Sequence, residues 1–368
     1  MTHVMKAATA ADFLAMVPHL LGFTPRNSLV VVLFDGKRNS AMMRYDLPPT
    51  PTPELARVIG PLMVGTLSRF PRGQDVAIAV YTDKGFGHRT AVPYSPVVRA
   101  LLRQVRNAGF GIRDALCSAA DGYGSYLDPH LPTGGRSLAD IASSTVADEV
   151  PEGDRAENGD GRDAPIREAP AFVKQMTTRA MQEFYDEQDY QASRNLPVWA
   201  ADELECLSDM PLFVEQALQW DDRQYDRFEL PLLWILQSPP VRDFAMLQWA
   251  SNLDMGDRIF RQVVLDKKGP SRIDADIGAM MLGGGPGPDQ NRIHAAIALL
   301  VKLVGVAEDQ HRPAPLVMLA WLNWAIGRGS RAGAYLDLAL GIDPGYGMAR
   351  LLNTVVSNGM PPEWAFEE

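Results

Sequence analysis

Three aspartates each follow a predicted β-strand, and their carboxylates are the first candidates for chemistry in this chain. Asp46 lies in "YDLPP", Asp83 in "YTD" and Asp121 in "AADGYG". Three carboxylates that meet at one point could bind Mg²⁺ or Mn²⁺, or could hold a general base whose pKa is raised by its like-charged neighbours. The alternative is that each aspartate only orders a turn or caps the helix that follows it.

Further polar side chains are predicted beside these aspartates, and together they form a candidate ligand-binding site to which we assign no catalytic residue. They are Arg26, Asn27, Ser28, Arg44, Tyr123 and Tyr126. The first three belong to the loop "GFTPRNS". In that loop Gly22 and Pro25 are explained by the end of a helix, because glycine adopts the left-handed cap and proline prevents continuation. We therefore look for ligand contacts only in the second half of the loop, at 26–28.

The elements that must position these residues follow from apolar patterns and turn signals. Unbroken apolar runs predict strands, and apolar residues at helical spacing predict helices. The predicted strands are 28–34, 41–47, 75–83, 112–119 and 122–127, and the predicted helices of this region are 8–21, 53–69 and 95–109. The Asp-Gly pair at 35–36 joins the first two strands in a hairpin.

The order of these elements places the candidate residues at one edge of a sheet. A hairpin reverses the chain, and a crossover helix makes the next strand parallel, so the second, third and fourth strands run the same way. Their carboxyl ends share one edge with the beginning of the reversed first strand, and ligands favour such an edge. We therefore predict an α/β unit at residues 8–145 with a mixed, mostly parallel sheet.

The second half of the chain has a different character. From about residue 170 helical patterns dominate and strand signals nearly vanish, which predicts an all-helical unit at 170–368. Between the two units, the stretch "DEVPEGDRAENGDGRD" contains seven acidic residues and two arginines. Such a stretch cannot bury apolar surface, so we predict a flexible acidic linker at 146–169. A lure for a basic partner remains the alternative for this segment.

The end of the chain, at 316–358, resembles a tetratricopeptide (TPR) unit, which is a pair of antiparallel helices. The matching positions are Leu319, Ala320, Gly327, Ala332, Leu336, Ala339 and Pro344, whereas Asn323 stands where an aromatic residue is expected. The resemblance places Trp321 and Trp324 on the inner face of a groove, where they would bind a peptide or a helix of a partner. The alternative is that both indoles pack on the preceding helices.

Composition limits the compartment and the partners. The formal net charge of −10 disfavours nucleic acid, which requires clustered Lys and Arg. No apolar run approaches the ~18–20 residues that span a bilayer, and no signal peptide is recognised in the first residues. Cys117 and Cys206 are isolated in the sequence. We therefore predict a cytoplasmic protein that does not bind membranes.

With these motifs in hand, the chain resembles a bacterial family known only as a domain of unknown function, DUF4192. The resemblance rests on "FLAMVPHLLGFTPRNSLVVVLFDG", "RYDLPP", "DGYGSYLDPHLPTGGRSL" and the tail "LAWLNWAIGRGSRAGAYLDLALGIDPGYGMARLL". It covers most of the chain apart from the acidic stretch. It implies no reaction, cofactor or partner, and it supports the two-part architecture.

Two functions follow from these features. The first is a cytoplasmic interaction or adaptor protein whose helical unit binds a partner protein. The second is an enzyme or small-molecule binder that works at the carboxyl edge of the sheet, on a compound such as a phosphorylated metabolite. We expect no cofactor in the first case, and Mg²⁺ is the candidate in the second.

Overall fold

The computed structural model describes residues 7–50, 52–87, 91–150, 164–191, 206–220, 229–265 and 274–366. The chain falls into two units, Met1–Asp163 and Ala164–Glu368. No helix in these described ranges has the length and the apolar character that a membrane-spanning segment needs.

The first unit is built around a five-stranded mixed sheet with the strand order β2-β1-β3-β4-β5. The strands are β1 (Ser28–Asp35), β2 (Arg38–Asp46), β3 (Asp75–Tyr81), β4 (Gly111–Ser118) and β5 (Tyr123–Ser125). The helices are α1 (Ala10–Leu21), α2 (Pro53–Leu67), α3 (Ser95–Asn107) and α4 (Ala139–Ala142), followed by a 3-10 helix, Thr145–Glu149.

Strand direction confirms the predicted hairpin and corrects the predicted sheet. Strand β1 is antiparallel to both of its neighbours, β2 and β3, and β3 is parallel to β4. Strands β2, β3 and β4 therefore run the same way, as we expected. The sheet is nevertheless not mostly parallel, because β1 lies between β2 and β3 and β5 is antiparallel to β4. Only the β3–β4 pairing is parallel among the described strands.

The two faces of the sheet are covered by different helices. Alternate residues of β1 point to opposite faces, as the period of two requires. Leu29, Val31 and Leu33 pack in one apolar cluster with α2 and α3, whereas Val30 and Val32 pack in the other with α1. Both faces are buried, which explains why β1 is an unbroken apolar run.

Helix α1 contains a proline that the fold accommodates. Pro18 has no backbone N–H, so it cannot donate the helical hydrogen bond to the carbonyl oxygen of Leu14. The buried hydroxyl of Tyr81 donates to that oxygen instead, at 2.7 Å. The helix then ends at Gly22, whose φ of 80° is the predicted left-handed cap.

Every regular element in the described part of the second unit is helical. The helices are α5 (Ala171–Gln191), α6 (Met210–Ala217), α7 (Glu229–Ile235), α8 (Pro239–Ala250), α9 (Leu253–Ile259), α10 (Ala275–Met281), α11 (Gln290–Val306), α12 (Pro313–Ala325), α13 (Gly329–Ile342) and α14 (Gly347–Ser357). Short 3-10 helices occur at Cys206–Asp209, Asp309–His311 and Glu363–Phe366, and a π-helix continues α9 at Phe260–Leu265. These helices pack around one shared apolar cluster.

The predicted linker is described only at its two ends, because 151–163 lies outside the described residues. At the first end, Val146 and Val150 are buried and the 3-10 helix packs against α1. At the second end, the Ala169 N–H donates to the carbonyl oxygen of Gly305 in α11 at 3.1 Å.

Candidate functional site

The carboxyl ends of three strands and the beginning of β1 lie at one edge of the sheet, as the topology predicted. In the register of the sheet, Ser28 pairs with Asp46 on one side and with Tyr81 on the other. Tyr81 in turn pairs with Ser118 near the end of β4. This edge, with the loops that leave it, is called the carboxyl edge below.

Asn27 connects the start of β1 to the loop after β3. Its Nδ2 donates to Oδ2 of Asp83 at 2.7 Å, and its Oδ1 accepts the backbone N–H of Asp83 at 3.2 Å. The backbone of Asn27 has a φ of 42°, a left-handed conformation that asparagine adopts more readily than most residues. The carboxylate of Asp83 is therefore engaged by a residue of this protein.

Arg44 occupies the neighbouring position on β2. Its Nε donates to Oγ of Ser28 at 2.8 Å, and its guanidinium forms a 2.7 Å ion pair with Asp46. The Ser28 hydroxyl donates to the carbonyl oxygen of Arg26 at 2.7 Å. Ser28 and the Arg44 side chain are buried, whereas Asp46 and Arg26 are exposed. The carboxylate of Asp46 is thus paired with a guanidinium from its own strand.

Asp121 has a structural role at the carboxyl edge, which was the alternative to a ligand-binding role. Its two carboxylate oxygens accept the backbone N–H groups of Phe86 and Gly87 at 2.7 and 3.0 Å. These hydrogen bonds lower the pKa of Asp121 below its usual value. A general base of raised pKa, one of the alternatives considered for the aspartates, is therefore contradicted for Asp121, which orders the loop after β3.

The two candidate tyrosines point to opposite faces of the sheet. Tyr123 packs in the cluster with α1, and its hydroxyl donates to Asp140 at 3.1 Å. Tyr126 packs in the cluster with α2 and α3, where its hydroxyl donates to the carbonyl oxygen of Pro93 at 2.6 Å. Burial raises the pKa of Tyr126, and it raises that of the neighbouring Cys117 to about 12. The structure therefore does not bring these tyrosines together.

A metal site does not follow from this geometry. Asp46, Asp83 and Asp121 each interact with a different group: a guanidinium, a side-chain amide and a pair of backbone N–H groups. Within the part of the chain that the structure describes, no group of three or more His, Cys, Asp or Glu side chains could hold a metal ion.

Two residues at the carboxyl edge were missed by the sequence analysis. Tyr94 precedes α3 with a φ of 60°, and its hydroxyl donates to the carbonyl oxygen of Pro48 at 2.7 Å. The ammonium of Lys84 lies 5.4 Å from the centre of the Tyr94 ring, within the range of a cation–π interaction. Lys84 could have been included in the candidate site, because it directly follows Asp83 in the sequence. No sequence signal marks the left-handed backbone of Tyr94.

The predicted groove at Trp321 and Trp324 is wrong. Their residues are 1% and 4% exposed, and their rings lie 6.4 Å apart in a cluster with Trp364. Their indole N–H groups donate to the carbonyl oxygens of Met281 and Met360. The physical reason is that the loop after α10 and the segment after α14 cover both rings, so neither indole is available to a partner.

Comparison with known proteins identifies the family. A family model described as "Domain of unknown function (DUF4192)" matches residues 11–275 and 289–363. No curated protein matches the chain. No solved structure matches it either. Because the family model covers far more than half of the sequence, the resemblance is confirmed, and the chain belongs to the DUF4192 family.

Proposed function

We propose that this protein is a cytoplasmic interaction or adaptor protein whose helical unit binds a partner protein. The proposal includes a TPR-like character for the hairpin of α12 and α13. Three positions support it: Gly327 makes the turn with a φ of 80°, and Ala332 and Ala339 are fully buried on α13. Small residues at such positions let two antiparallel helices approach closely, as they do in helical repeats.

The observation that carries the proposal is the exposed apolar surface on the last two long helices. Leu351 of α14 is 74% exposed, and Leu338 of α13 is 38% exposed. In α14 only Ala349 and Leu352 are buried. The terminal helix of a helical array needs a polar outer face for solubility, so an outward leucine on it favours a binding role.

The test uses two leucines of nearly equal exposure. Leu282, in the loop after α10, is 75% exposed and serves as the control for Leu351. Affinity capture from native cytoplasm is followed by quantitative mass spectrometry for the wild type, L351E and L282E. We expect L351E to lose an enriched partner that L282E retains, with unchanged melting temperatures for both variants. Equal enrichment by the two variants, or no enrichment by the wild type, would reject the proposal.

A small-molecule binder at the carboxyl edge is the second candidate, and one observation favours it. Asn27 and Tyr94, the two non-glycine residues with positive φ in the described chain, both lie at this edge. Backbone strain of this kind clusters at ligand-binding sites. Arg26 and Lys84 are exposed there and offer positive charge to a phosphorylated compound.

Ligand-induced stabilisation distinguishes this second candidate from the first. The melting temperature is measured with Mg²⁺, Mn²⁺, nucleotides and sugar phosphates, for the wild type and for R26Q. A ligand that binds only the folded state raises the melting temperature, and R26Q should reduce the increase. A screen without any increase would exclude these compounds as ligands of the carboxyl edge.

A further inference from the structure

Helix α3 carries three arginines on its outer face. Arg99, Arg103 and Arg106 are all exposed, and they are separated by four and three residues. This spacing places them on one side of a helix, over about 10 Å of its length. The opposite side packs into the core through its apolar residues. We call these three residues the α3 arginine stripe.

The stripe has no acidic partner within the described part of the chain, where no ion pair or hydrogen bond involves its guanidinium groups. Three arginines elsewhere in the first unit do have acidic partners. Arg44, Arg113 and Arg136 form ion pairs with Asp46, Asp75 and Asp128 respectively.

The sequence around α3 adds to the positive charge. From Lys84 to Arg113 the chain has six lysines and arginines and neither aspartate nor glutamate. This contrasts with the net charge of −10 for the whole protein. Within α3 itself, Arg99, Arg103 and Arg106 are the only charged residues, so the charge of this helix is entirely positive and lies on its outer face.

We propose that the α3 arginine stripe docks an Asp/Glu-rich segment of a partner protein. Guanidinium groups bind carboxylates through paired hydrogen bonds, and arginine is enriched at the centres of protein interfaces. Three such groups in a line match the carboxylates of a short acidic segment. The stripe lies on the first unit, so this proposal does not depend on the function proposed for the helical unit.

A protein segment is favoured over other polyanions for two reasons. The net charge of −10 repels an extended polyanion or an anionic membrane at long range, whereas a short segment at the stripe lies within a Debye length of the three arginines. The second reason is that exposed apolar residues lie on the helix beside α3. Helices α2 and α3 are neighbours, since Gln104 of α3 donates to the carbonyl oxygen of Ala56 in α2 at 3.0 Å. Val58 and Leu62 are exposed on that neighbouring helix.

The acidic stretch of this chain, Asp148 to Asp163, is not the occupant that we propose. Its first two residues belong to the 3-10 helix Thr145–Glu149, which packs against α1. Helix α1 covers the opposite face of the sheet from α3. The described residues of the stretch, which end at Val150, therefore lie at the face of the sheet that α1 covers, away from the stripe. Its binding in a second copy of the chain is one of the outcomes that the experiment separates.

The experiment measures fluorescence anisotropy of labelled probes with the full chain. The probes are a polyglutamate peptide, a single-stranded RNA of equal length and phosphatidylserine vesicles. The variant R99Q/R103Q/R106Q removes the stripe. The control K37Q/R38Q/R350Q removes the same charge from three other exposed positions. We expect the stripe variant to bind polyglutamate about tenfold more weakly than the wild type, and the control to bind it as the wild type does.

Each alternative outcome overturns the proposal. Equal losses in the stripe variant and the control would show that only net charge matters. Tighter binding of RNA or vesicles than of polyglutamate, with loss in the stripe variant, would assign the stripe to those ligands. Salt-sensitive self-association of the wild type that the stripe variant abolishes would identify a second copy as the occupant. Circular dichroism confirms that the exposed substitutions leave the fold intact.

Discussion

Asn27 and Asp83 are joined by two hydrogen bonds across the carboxyl edge. The amide Nδ2 of Asn27 donates to the carboxylate at 2.7 Å, and Oδ1 accepts the backbone N–H of Asp83 at 3.2 Å. The backbone of Asn27 is left-handed, with a φ of 42°. Asn27 therefore contributes in two ways: its backbone adopts the left-handed conformation at this turn, and its side chain holds Asp83.

Substitution of Asn27 separates these two contributions. N27G removes both hydrogen bonds and keeps a residue that tolerates a positive φ, whereas N27A removes them and also strains the backbone. We expect N27G to lower the free energy of unfolding by about 1 kcal/mol and N27A by about 2–3 kcal/mol. Urea denaturation measures both values. Equal losses in the two variants would show that the left-handed backbone costs nothing at this position.

The tryptophan cluster makes a second prediction, which concerns stability. Trp324 is buried against Trp321 and Trp364, and its indole N–H donates to the carbonyl oxygen of Met360 at 2.8 Å. We expect W324A to lower the free energy of unfolding by about 3–5 kcal/mol, because it leaves a large cavity and an unpaired carbonyl. W324F should cost less.

Circular dichroism and tryptophan fluorescence measured during thermal unfolding check this prediction, with W220F as a control at a partly exposed tryptophan. A W324A variant as stable as the wild type would contradict the burial of this ring. That result would support the partner-binding groove that the sequence analysis predicted at this position.

Strand direction was predictable because local signals determine it. The Asp-Gly turn requires a hairpin, and α2 and α3 follow strands as crossover helices, so the common direction of β2, β3 and β4 follows. The position of β1 between β2 and β3 was not predictable in the same way. The neighbours of β3 depend on the side of the hairpin to which the crossover helix α2 carries the chain. Hydrophobic periodicity contains no information about that side.

The side chains at the carboxyl edge show a different limit. Topology placed Asp46, Asp83 and Asp121 at the same edge, but each carboxylate accepts from a different donor. Arg44 lies on β2 beside Asp46, whereas the donors to Asp83 and Asp121 come from loops whose shape the sequence does not specify. Tyr123 and Tyr126 were avoidable errors. Residues three apart in an extended chain point to opposite faces, so the spacing already excluded a shared site for them.

The tryptophans also carried a signal that favoured burial. Helix α12 is apolar on all sides, and a helix of this kind belongs in a core. The TPR-like spacing suggested an inner groove instead. The segments that cover the rings, at 282–288 and 358–366, are distant in the sequence from one another, and nothing in the spacing of α12 reveals them.

Acid stability makes a third prediction, through Glu215 of α6. Arg292 donates to its two carboxylate oxygens at 2.6 and 2.7 Å, and Gln248 adds a third hydrogen bond at 3.0 Å. The hydrogen bonds from Arg292 are the largest cause of the lowered pKa of Glu215, while partial burial opposes them. We expect E215Q to lower the free energy of unfolding at neutral pH by about 1–3 kcal/mol.

The pH dependence follows from the sign of this shift. Because the pKa of Glu215 is lower in the folded state, its ionised carboxylate stabilises the fold at pH values above the pKa that it has in the unfolded chain. That contribution disappears as the pH falls through the folded value. The difference in stability between the wild type and E215Q should therefore be constant near neutrality and shrink below about pH 4.5. A difference that persists unchanged in acid would show that packing, and not the ionised pair, stabilises this contact.

A pair of helical glycines makes the fourth prediction. A Cβ at Gly256 of α9 would overlap the side-chain amide of Gln248, whereas a Cβ at Gly278 of α10 would meet open space. Gln248 is fully buried, and its Nε2 donates to the carbonyl oxygen of Pro211 at 2.8 Å, so the amide cannot move away without losing that bond. We expect G256A to destabilise the protein by about 1–3 kcal/mol, as overpacked cores do.

The matched variant G278A should have the opposite sign. Alanine in an exposed helix interior is more favourable than glycine by about 0.5–1 kcal/mol, because glycine loses more backbone freedom on folding. Urea denaturation of G256A and G278A measures both effects in the same helical unit. If both variants were stabilised, the amide of Gln248 would have another arrangement available, and the close approach of α8 and α9 would not require glycine at this position.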